Sequence, residues 1–393
     1  MSGDCYVFVG GGTGGHLFPG IAVAQCVRSR DPAARIIFLT TDRPLDRELL
    51  RPTGFEQIEQ PVRPFSGNPL NWPAFWLAWR RSVSAAAALL RRVRPAAVLG
   101  LGGYAAGPAV VAARRLGVPA AILNPDAIPG RANRYLATRS DLVVLQWDAS
   151  RPHFPLGVRA VTLGCPIRAE FASRAALLDE PHQSAGSSHD AIQAARIRFG
   201  LDPLRPTLLV TGASQGARTV NQATLKAWPS FVSRRPDWQL LHLTGSTGET
   251  ATRDGYRAAG VPATVLAFTH EMVDAITAAD AVVSRAGAST LAELTALGRA
   301  SVLLPYPYHK DRHQHANARV LTDAGAALLL EDCIDPQRNA GPLCEALDRL
   351  ACNETRRAMS VAARRLGRPD AAERVADWMI IGARAVQSGP RPV

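Results

Sequence analysis

Short apolar runs alternate with amphipathic stretches along most of the chain. Val7–Val9, Arg35–Thr40, Ala97–Leu101, Ala120–Leu123, Leu142–Leu145 and Ala160–Leu163 have the pattern of strands buried on both faces. Ile21–Ser29, Asp46–Arg51 and Pro108–Leu116 fit between them as helices. Around Ala172–Ala194 the pattern dissolves into Ser, Ala, Asp, His and Gln without a period, which predicts a linker. A second series then begins: Thr207–Val210, Gln239–Leu243, Ala263–Ala267, Ala281–Val283, Ser301–Leu304 and Ala327–Leu330. The stretch Ala371–Val386 is amphipathic and is expected to pack back on the first series. Strand–helix alternation of this kind predicts an α/β fold of two Rossmann-like, doubly wound parallel-sheet domains facing a cleft. The expected boundaries are 1–170, a linker over 171–198, a second domain over 199–365 and a tail over 366–393.

Composition narrows the class. A chain of 393 residues suits two or three domains, and 47% hydrophobic with 20% charged residues argues against disorder, collagen and coiled coil. The 45 basic against 33 acidic residues leave +12 at pH 7, with a pI near 10.2. Such a charge suits an anionic partner: nucleic acid, an anionic membrane or a phosphorylated substrate. Only Lys226 and Lys310 are lysines, so arginine use alongside abundant alanine also reflects base composition. Six cysteines without a C-x-x-C pair predict neither zinc knuckle nor disulfide framework, and a reducing cytoplasm. Cys5–Val9 reads as a first strand rather than a signal peptide, and no apolar run of about 18 residues is present to span a bilayer.

Glycine-rich turns between strand and helix carry the chemistry. Backbone N–H groups there approach anions closely, and the helix N-terminus adds about half a positive charge. Gly10-x-Gly12-x-x-Gly15 formally matches a dinucleotide fingerprint, with Asp42 placed to meet a ribose. A second loop, Gly212-Ala-Ser-Gln-Gly-Ala217, suits a phosphate, and a dinucleotide enzyme has no need of it. Ser284-Arg-Ala-Gly-Ala-Ser-Thr-Leu-Ala-Glu293 adds a turn that can hold a diphosphate, with Glu293 able to accept from ribose hydroxyls or merely complement its helix dipole. This combination favours a nucleoside diphosphate in the second domain. His16, at the mouth of the first helix, is placed to stay neutral and act as a general base, or is a loop histidine without chemistry. His309-Lys-Asp-Arg-His-Gln-His315 has neither H-E-x-x-H nor zinc-finger spacing, so it reads as a loop contacting sugar or phosphate rather than a metal site. Gln314 and Asn317 can bond neutral hydroxyls.

Seven motifs then stand in order along nearly the whole chain: Gly11–His16, Gly102–Pro108, Gly130–Asn133, Gly164–Arg168, Gly212–Arg218 with Asn221, Ser284–Glu293, and Asp311–Gln314 with Asn317. Together they resemble the MurG family, peptidoglycan N-acetylglucosaminyltransferases that make lipid II from lipid I. The resemblance implies a GT-B enzyme of glycosyltransferase family 28 with UDP-N-acetylglucosamine as donor. Its acceptor would be undecaprenyl-pyrophosphoryl-N-acetylmuramoyl-pentapeptide, with inverting transfer to the C4 hydroxyl and neither metal nor cofactor. It implies Ser214 on the donor phosphates, Arg168 on the nucleotide, and Phe268 and Thr269 framing the uracil. It also implies Ala288, Ser289, Thr290, Leu291, Ala292 and Glu293 around diphosphate and ribose, and Gln314 at the sugar, with Asn317 a further substrate-binding residue. Thr13, Gly14 and Gly15 would lie beside the sugar and acceptor diphosphate, with His16 and Tyr104 as catalytic residues.

This chain departs from the family pattern at Asn124-Pro125-Asp126, where Glu-Gln-Asn is usual. Asp126 replaces an amide at the donor sugar, and Asn124 replaces a carboxylate that could serve acceptor binding or catalysis. His313 stands where glutamine is common. Trp72, Phe75, Trp76 and Trp79 share a helical face beside Arg80 and Arg81, a composition suited to a bilayer interface or to packing on the sheet. A lipid acceptor favours peripheral attachment to an anionic membrane at the cytoplasmic face, with other cell-wall synthesis and division proteins as partners. No nucleic-acid-binding signature accompanies the arginines, so none is expected as a partner. The alternatives are an inverting GT-B transferase with another lipid or natural-product acceptor, and a catalytically impaired membrane scaffold.

Overall fold

The computed structural model describes residues 3–62, 72–179, 185–212, 216–309 and 311–382. The chain divides into two compact units, Met1–Ala169 with Arg368–Val393, and Glu170–Gly367. The first unit runs β1 (Cys5–Val9), α1 (Gly14–Arg30), β2 (Arg35–Thr40), α2 (Pro44–Leu50), β3 (Glu56–Glu59), α3 (Trp72–Val93), β4 (Ala97–Gly100) and α4 (Gly103–Leu116). It continues with β5 (Ala120–Asn124), α5 (Arg131–Ala137), β6 (Leu142–Leu145) and β7 (Ala160–Thr162). The strands form one parallel sheet in the order β3-β2-β1-β4-β5-β6-β7. Alternate residues of β1 enter opposite cores: Tyr6 and Phe8 pack with α1, while Val7 and Val9 pack with Val83, Leu90 and Val110 of α3 and α4. A sheet buried on both faces explains why its strands read as continuous apolar runs. β3 is the exception. As Glu-Gln-Ile-Glu on the sheet edge it lacks an apolar run, and the hydrophobic pattern does not predict it.

The second unit follows with α6 (Ala169–Asp179), α7 (Ala185–Arg198), β8 (Thr207–Thr211), α8 (Arg218–Arg234), β9 (Gln239–Leu243), α9 (Glu249–Ala258), β10 (Thr264–Leu266) and α10 (Met272–Ala278). Then come β11 (Ala281–Ser284), α11 (Ala288–Ala296), β12 (Ala300–Leu303), α12 (His313–Asp323), β13 (Ala327–Leu329), α13 (Pro336–Ala351) and α14 (Asn353–Leu366). Its parallel sheet has the order β10-β9-β8-β11-β12-β13, the same winding as the first. Trp228 and Phe231 of α8 and Leu343 and Leu347 of α13 fill its core. The last α-helix described, α15 (Ala371–Asp377), packs on α1 in the first unit.

The stretch expected as a linker is helical on both sides of residues 180–184. Alanine-rich sequence favours the helices, and charges that periodicity does not reveal pin them. Arg196 of α7 donates to Asp280 at 2.6 Å and to the carbonyls of Ala278 and Pro203, while Arg174 of α6 donates to Asp274 at 2.9 Å.

Candidate active site

In doubly wound sheets ligands bind beyond the carboxyl ends of the strands, where the winding reverses. In the first unit that point lies between β1 and β4, whose ends run into Gly10–Gly12 and Gly102–Gly103. Gly12 (φ 87°), Gly102 (99°) and Gly103 (72°) occupy backbone conformations that side chains resist. Asp46 of α2 shapes the first loop. Its wholly buried carboxylate accepts from Gly12 N at 2.8 and 3.0 Å, from Thr41 N at 3.1 Å and from Thr41 Oγ1 at 2.6 Å. A Cβ on Gly11 would come within 2.3 Å of that carboxylate. Sequence reasoning singled out Asp42, which is exposed, and passed over Asp46, an acidic residue in a helix's first turn whose ordinary role is only to complement the dipole.

His16 stands in the first turn of α1. Thr13, the residue capping that helix, makes no side-chain cap bond; its hydroxyl lies 3.0 Å from His16 Nδ1 instead. The imidazole lies against the second glycine turn, for a Cβ on Gly102 or Gly103 would come 3.4 or 3.3 Å from the ring. The fold therefore brings the histidine of one motif to the glycines of another, with half-buried Tyr104 next in the chain. Burial lowers the His16 pKa, outweighing the Asp126 charge, a hydrogen bond with the Gly11 backbone and the Asp46 charge, all of which raise it. Neutral imidazole is the form a general base needs. Thr13 and Gly15 are exposed and Gly14 is half-buried.

Asn124 takes no part in proton transfer. It is buried at the end of β5, where its Nδ2 donates to Asp126 O at 2.8 Å and its Oδ1 accepts from Asn133 Nδ2 at 3.1 Å. An amide in that place fixes the turn through Asp126, which is half-buried and close enough to act electrostatically on His16. Arg168, half-buried, lies with its guanidinium 5.3 Å from the Phe18 ring centre.

The corresponding reversal in the second unit lies between β8 and β11. Ser214, in the loop after β8, falls outside the described residues. Gly216 (φ 70°) closes that loop so tightly against Thr244 that a Cβ would come 2.2 Å from its carbonyl oxygen. Thr244 is placed by a chain of three side chains. Asn221 Nδ2 donates to Thr244 O at 2.8 Å, so its Oδ1 accepts from His242 Nε2 at 3.1 Å, and His242 Nδ1 accepts from Tyr256 OH at 2.9 Å. Burial pushes His242 down to about 3, so it stays neutral.

After β11 the turn to α11 is braced by Arg285. Its guanidinium donates to the Leu304 and Pro305 carbonyls at 2.8 and 3.1 Å, to Asp332 Oδ2 at 2.7 Å and to Thr219 Oγ1 at 2.7 Å. Arg285 lies within the Ser284–Glu293 motif, but nothing in its spacing signals this role. Ser289, Thr290 and Glu293 are half-buried on α11, whereas the Ala288, Leu291 and Ala292 side chains are buried, which leaves those three only backbone to offer a ligand. Asn317 corrects the sequence reading. It is wholly buried and its Nδ2 donates to Ala286 O at 3.2 Å, so it supports the turn from below instead of meeting a sugar hydroxyl. Gln314 is half-buried, with Oε1 accepting from Tyr306 N at 2.9 Å. Phe268 is exposed beside His270, and Thr269 Oγ1 accepts from Glu271 N at 3.0 Å.

The aromatic face of α3 is narrower than its sequence predicts. Trp72 and Trp76 are exposed, at 44% and 55%, together with Leu77 and the flanking Arg80 and Arg81. Trp79 turns inward: a Cβ on Gly107 of α4 would come 2.6 Å from its ring, and Tyr135 meets it edge-on at 6.2 Å. Phe75, half-buried, stacks on Trp79. Helical spacing alone does not mark where a face passes from solvent into core. Among the described residues no helix is long and apolar enough to cross a membrane.

Residues 6–144 match the glycosyltransferase family 28 N-terminal domain and residues 207–375 its C-terminal domain. Two doubly wound sheets whose reversal points carry glycine-rich turns are the framework of such a GT-B glycosyltransferase. The chain is 37% identical over 380 residues to the UDP-N-acetylglucosamine--N-acetylmuramyl-(pentapeptide) pyrophosphoryl-undecaprenol N-acetylglucosamine transferase of Anaeromyxobacter dehalogenans, covering 94% of this chain and 90% of that one. It is 38% identical over 376 residues to the enzyme of that name from Nitratidesulfovibrio vulgaris, covering 94% of each. The crystal structure of Acinetobacter baumannii MurG superposes with a TM-score of 0.71 at 25% identity, covering 96% of this chain and 99% of that one. The chain belongs to the MurG family.

Proposed function

We propose that this protein transfers N-acetylglucosamine from UDP-N-acetylglucosamine to the C4 hydroxyl of the muramoyl sugar of undecaprenyl-pyrophosphoryl-N-acetylmuramoyl-pentapeptide, with inversion, giving lipid II. The observation that carries the reading is end-to-end similarity to transferases named for that reaction, joined to a neutral His16 at the first unit's reversal point. His16 takes the proton of the attacking hydroxyl, with Tyr104 beside it. Thr13 holds the imidazole, and Gly14 and Gly15 leave room for sugar and acceptor diphosphate. In the second unit Ser289, Thr290 and the backbone at the start of α11 receive the departing UDP diphosphate, where the helix end stabilises negative charge. Glu293 accepts from the ribose hydroxyls, Phe268 and Thr269 frame the uracil, Ser214 and Arg168 contact the nucleotide, and Gln314 donates through Nε2 to the sugar. Titration calorimetry with UDP and UDP-N-acetylglucosamine tests the donor half. Both should bind, and tight NAD binding without UDP binding would overturn the reading.

Asp126 gives this reading a pH signature. Its charge raises the His16 pKa, so Asp126→Asn should move the acidic limb of the kcat/KM profile to lower pH, because the base then stays neutral further down. A limb that stays put would separate the limb from His16.

The exposed part of α3 supports peripheral attachment to an anionic membrane at the cytoplasmic face, where the lipid acceptor is met. Tryptophan beside arginine suits the headgroup level. Trp72→Asp with Trp76→Asp should remove most co-sedimentation with phosphatidylglycerol vesicles while leaving the melting temperature unchanged. Full retention on the vesicles would assign membrane contact elsewhere.

A further inference from the structure

The segment between β12 and α12 carries polar side chains to which the proposed transfer assigns no role. His309, Asp311 and His313 each bring a ligand-type atom within 4.8 Å of the other two. The two imidazoles stack with ring centres 4.3 Å apart, and Asp311 Oδ1 lies 2.7 Å from His313 Nδ1. The sequence spacing hides this grouping because it depends on one backbone feature. Arg312 takes a left-handed conformation (φ 50°) and donates its N–H to His309 O at 3.0 Å, a turn that accompanies the return of His313 to His309. Asp311 is exposed and both histidines are half-buried, so solutes reach them. Among the described residues two neighbouring cationic groups are engaged: Arg312 pairs with Glu331 at 3.3 Å, and His315 Nε2 bonds the same carboxylate.

We propose that His309, Asp311 and His313 bind a borderline transition-metal dication of the Zn2+ or Co2+ class. Two imidazoles with one carboxylate suit such ions, whereas Mg2+ and Ca2+ take oxygen shells. Ligand atoms about 2.0–2.2 Å from a tetrahedral ion stand roughly 3.3–3.6 Å from one another, so on binding the widest separation closes by no more than about 1.5 Å while the 2.7 Å Asp311–His313 pair opens by about 0.6–0.9 Å. The ion is not a reagent of the transfer. It clamps the segment that Gln314 closes through Tyr306 N, and on the reading of Gln314 as a donor contact it raises the KM for UDP-N-acetylglucosamine.

Co2+ titration of the full chain, followed by visible absorption, tests the site. One ion per chain is expected, displaced by Zn2+ and without the thiolate charge-transfer band that the cysteines would produce. Affinity should fall roughly tenfold or more in His309→Gln, in Asp311→Asn and in His313→Gln. No binding by the wild type, or equal affinity in all three variants, overturns the site. Zn2+ should also raise the donor KM of the wild type but not of His313→Gln. Ion binding with an unmoved KM would overturn the link to Gln314 alone.

Discussion

Replacing His16 with alanine should lower kcat by about 10²–10⁴-fold, the range lost with a general base, and leave donor affinity close to the wild-type value. The expectation follows from what surrounds the ring. Burial favours the neutral form, the Thr13 hydroxyl lies 3.0 Å from Nδ1, and Gly102 and Gly103 leave the imidazole a place that any side chain would narrow. Asn124 stands where the family usually has a carboxylate, and its amide is committed to Asp126 and Asn133. Most of the proposed donor contacts lie in the second unit, so its KM should move little. Unchanged turnover in the variant would remove His16 as the base. The wild-type profile should lose kcat/KM below pH 6.5, as a histidine with a lowered pKa takes up its proton.

Asp332→Ala should destabilise the second unit by about 3–5 kcal/mol, because it strands the Arg285 charge in the interior. Asp332 has no exposed side-chain surface and Arg285 has 10%. Burial pushes the Asp332 carboxyl up, yet hydrogen bonds from Thr219, Arg285, Ile334 N and Asn339 outweigh it and hold the pKa below the usual range. A depressed carboxylate pKa contributes stability that is present above the unfolded-state value and lost as pH falls through the folded one. Acid should therefore weaken the wild type more than the variant. Scanning calorimetry should show the second unit's midpoint lower by about 6–20 °C, and UDP affinity should fall with it, since Arg285 braces the turn before α11. A shift below about 1 kcal/mol would mean that water reaches the pair and screens it.

Most of the framework is legible in the sequence because both faces of each sheet are covered. Strands such as Arg35–Thr40 and Gln239–Leu243 then need continuous apolar runs, and the observed bounds coincide with them. The edge strand Glu56–Glu59 needs no such run and is invisible for the same reason. α1 begins at Gly14, although its glycines and Pro19 argue against helix until Ile21; Gly20 is required there, since a Cβ would come 2.5 Å from Leu101. The glycine turns and the motif histidine are readable because anion binding and positive φ demand particular residue types. What supports them is not. Asp46, Arg285 and His242 act across 34, 47 and 21 residues on Gly12, Asp332 and Asn221, and neither helical nor strand periodicity records pairings of that range. Asn317 shows the opposite error: a polar residue inside a motif was assigned to the ligand, while burial gives it to the turn.

The central claim is tested most directly by incubating the purified chain with radiolabelled UDP-N-acetylglucosamine and a short-chain lipid I analogue, then separating the lipid products. The account predicts a labelled lipid-linked disaccharide, with the new sugar β-linked to the C4 oxygen of the muramoyl residue. UDP-N-acetylglucosamine binding without transfer to that acceptor would contradict it.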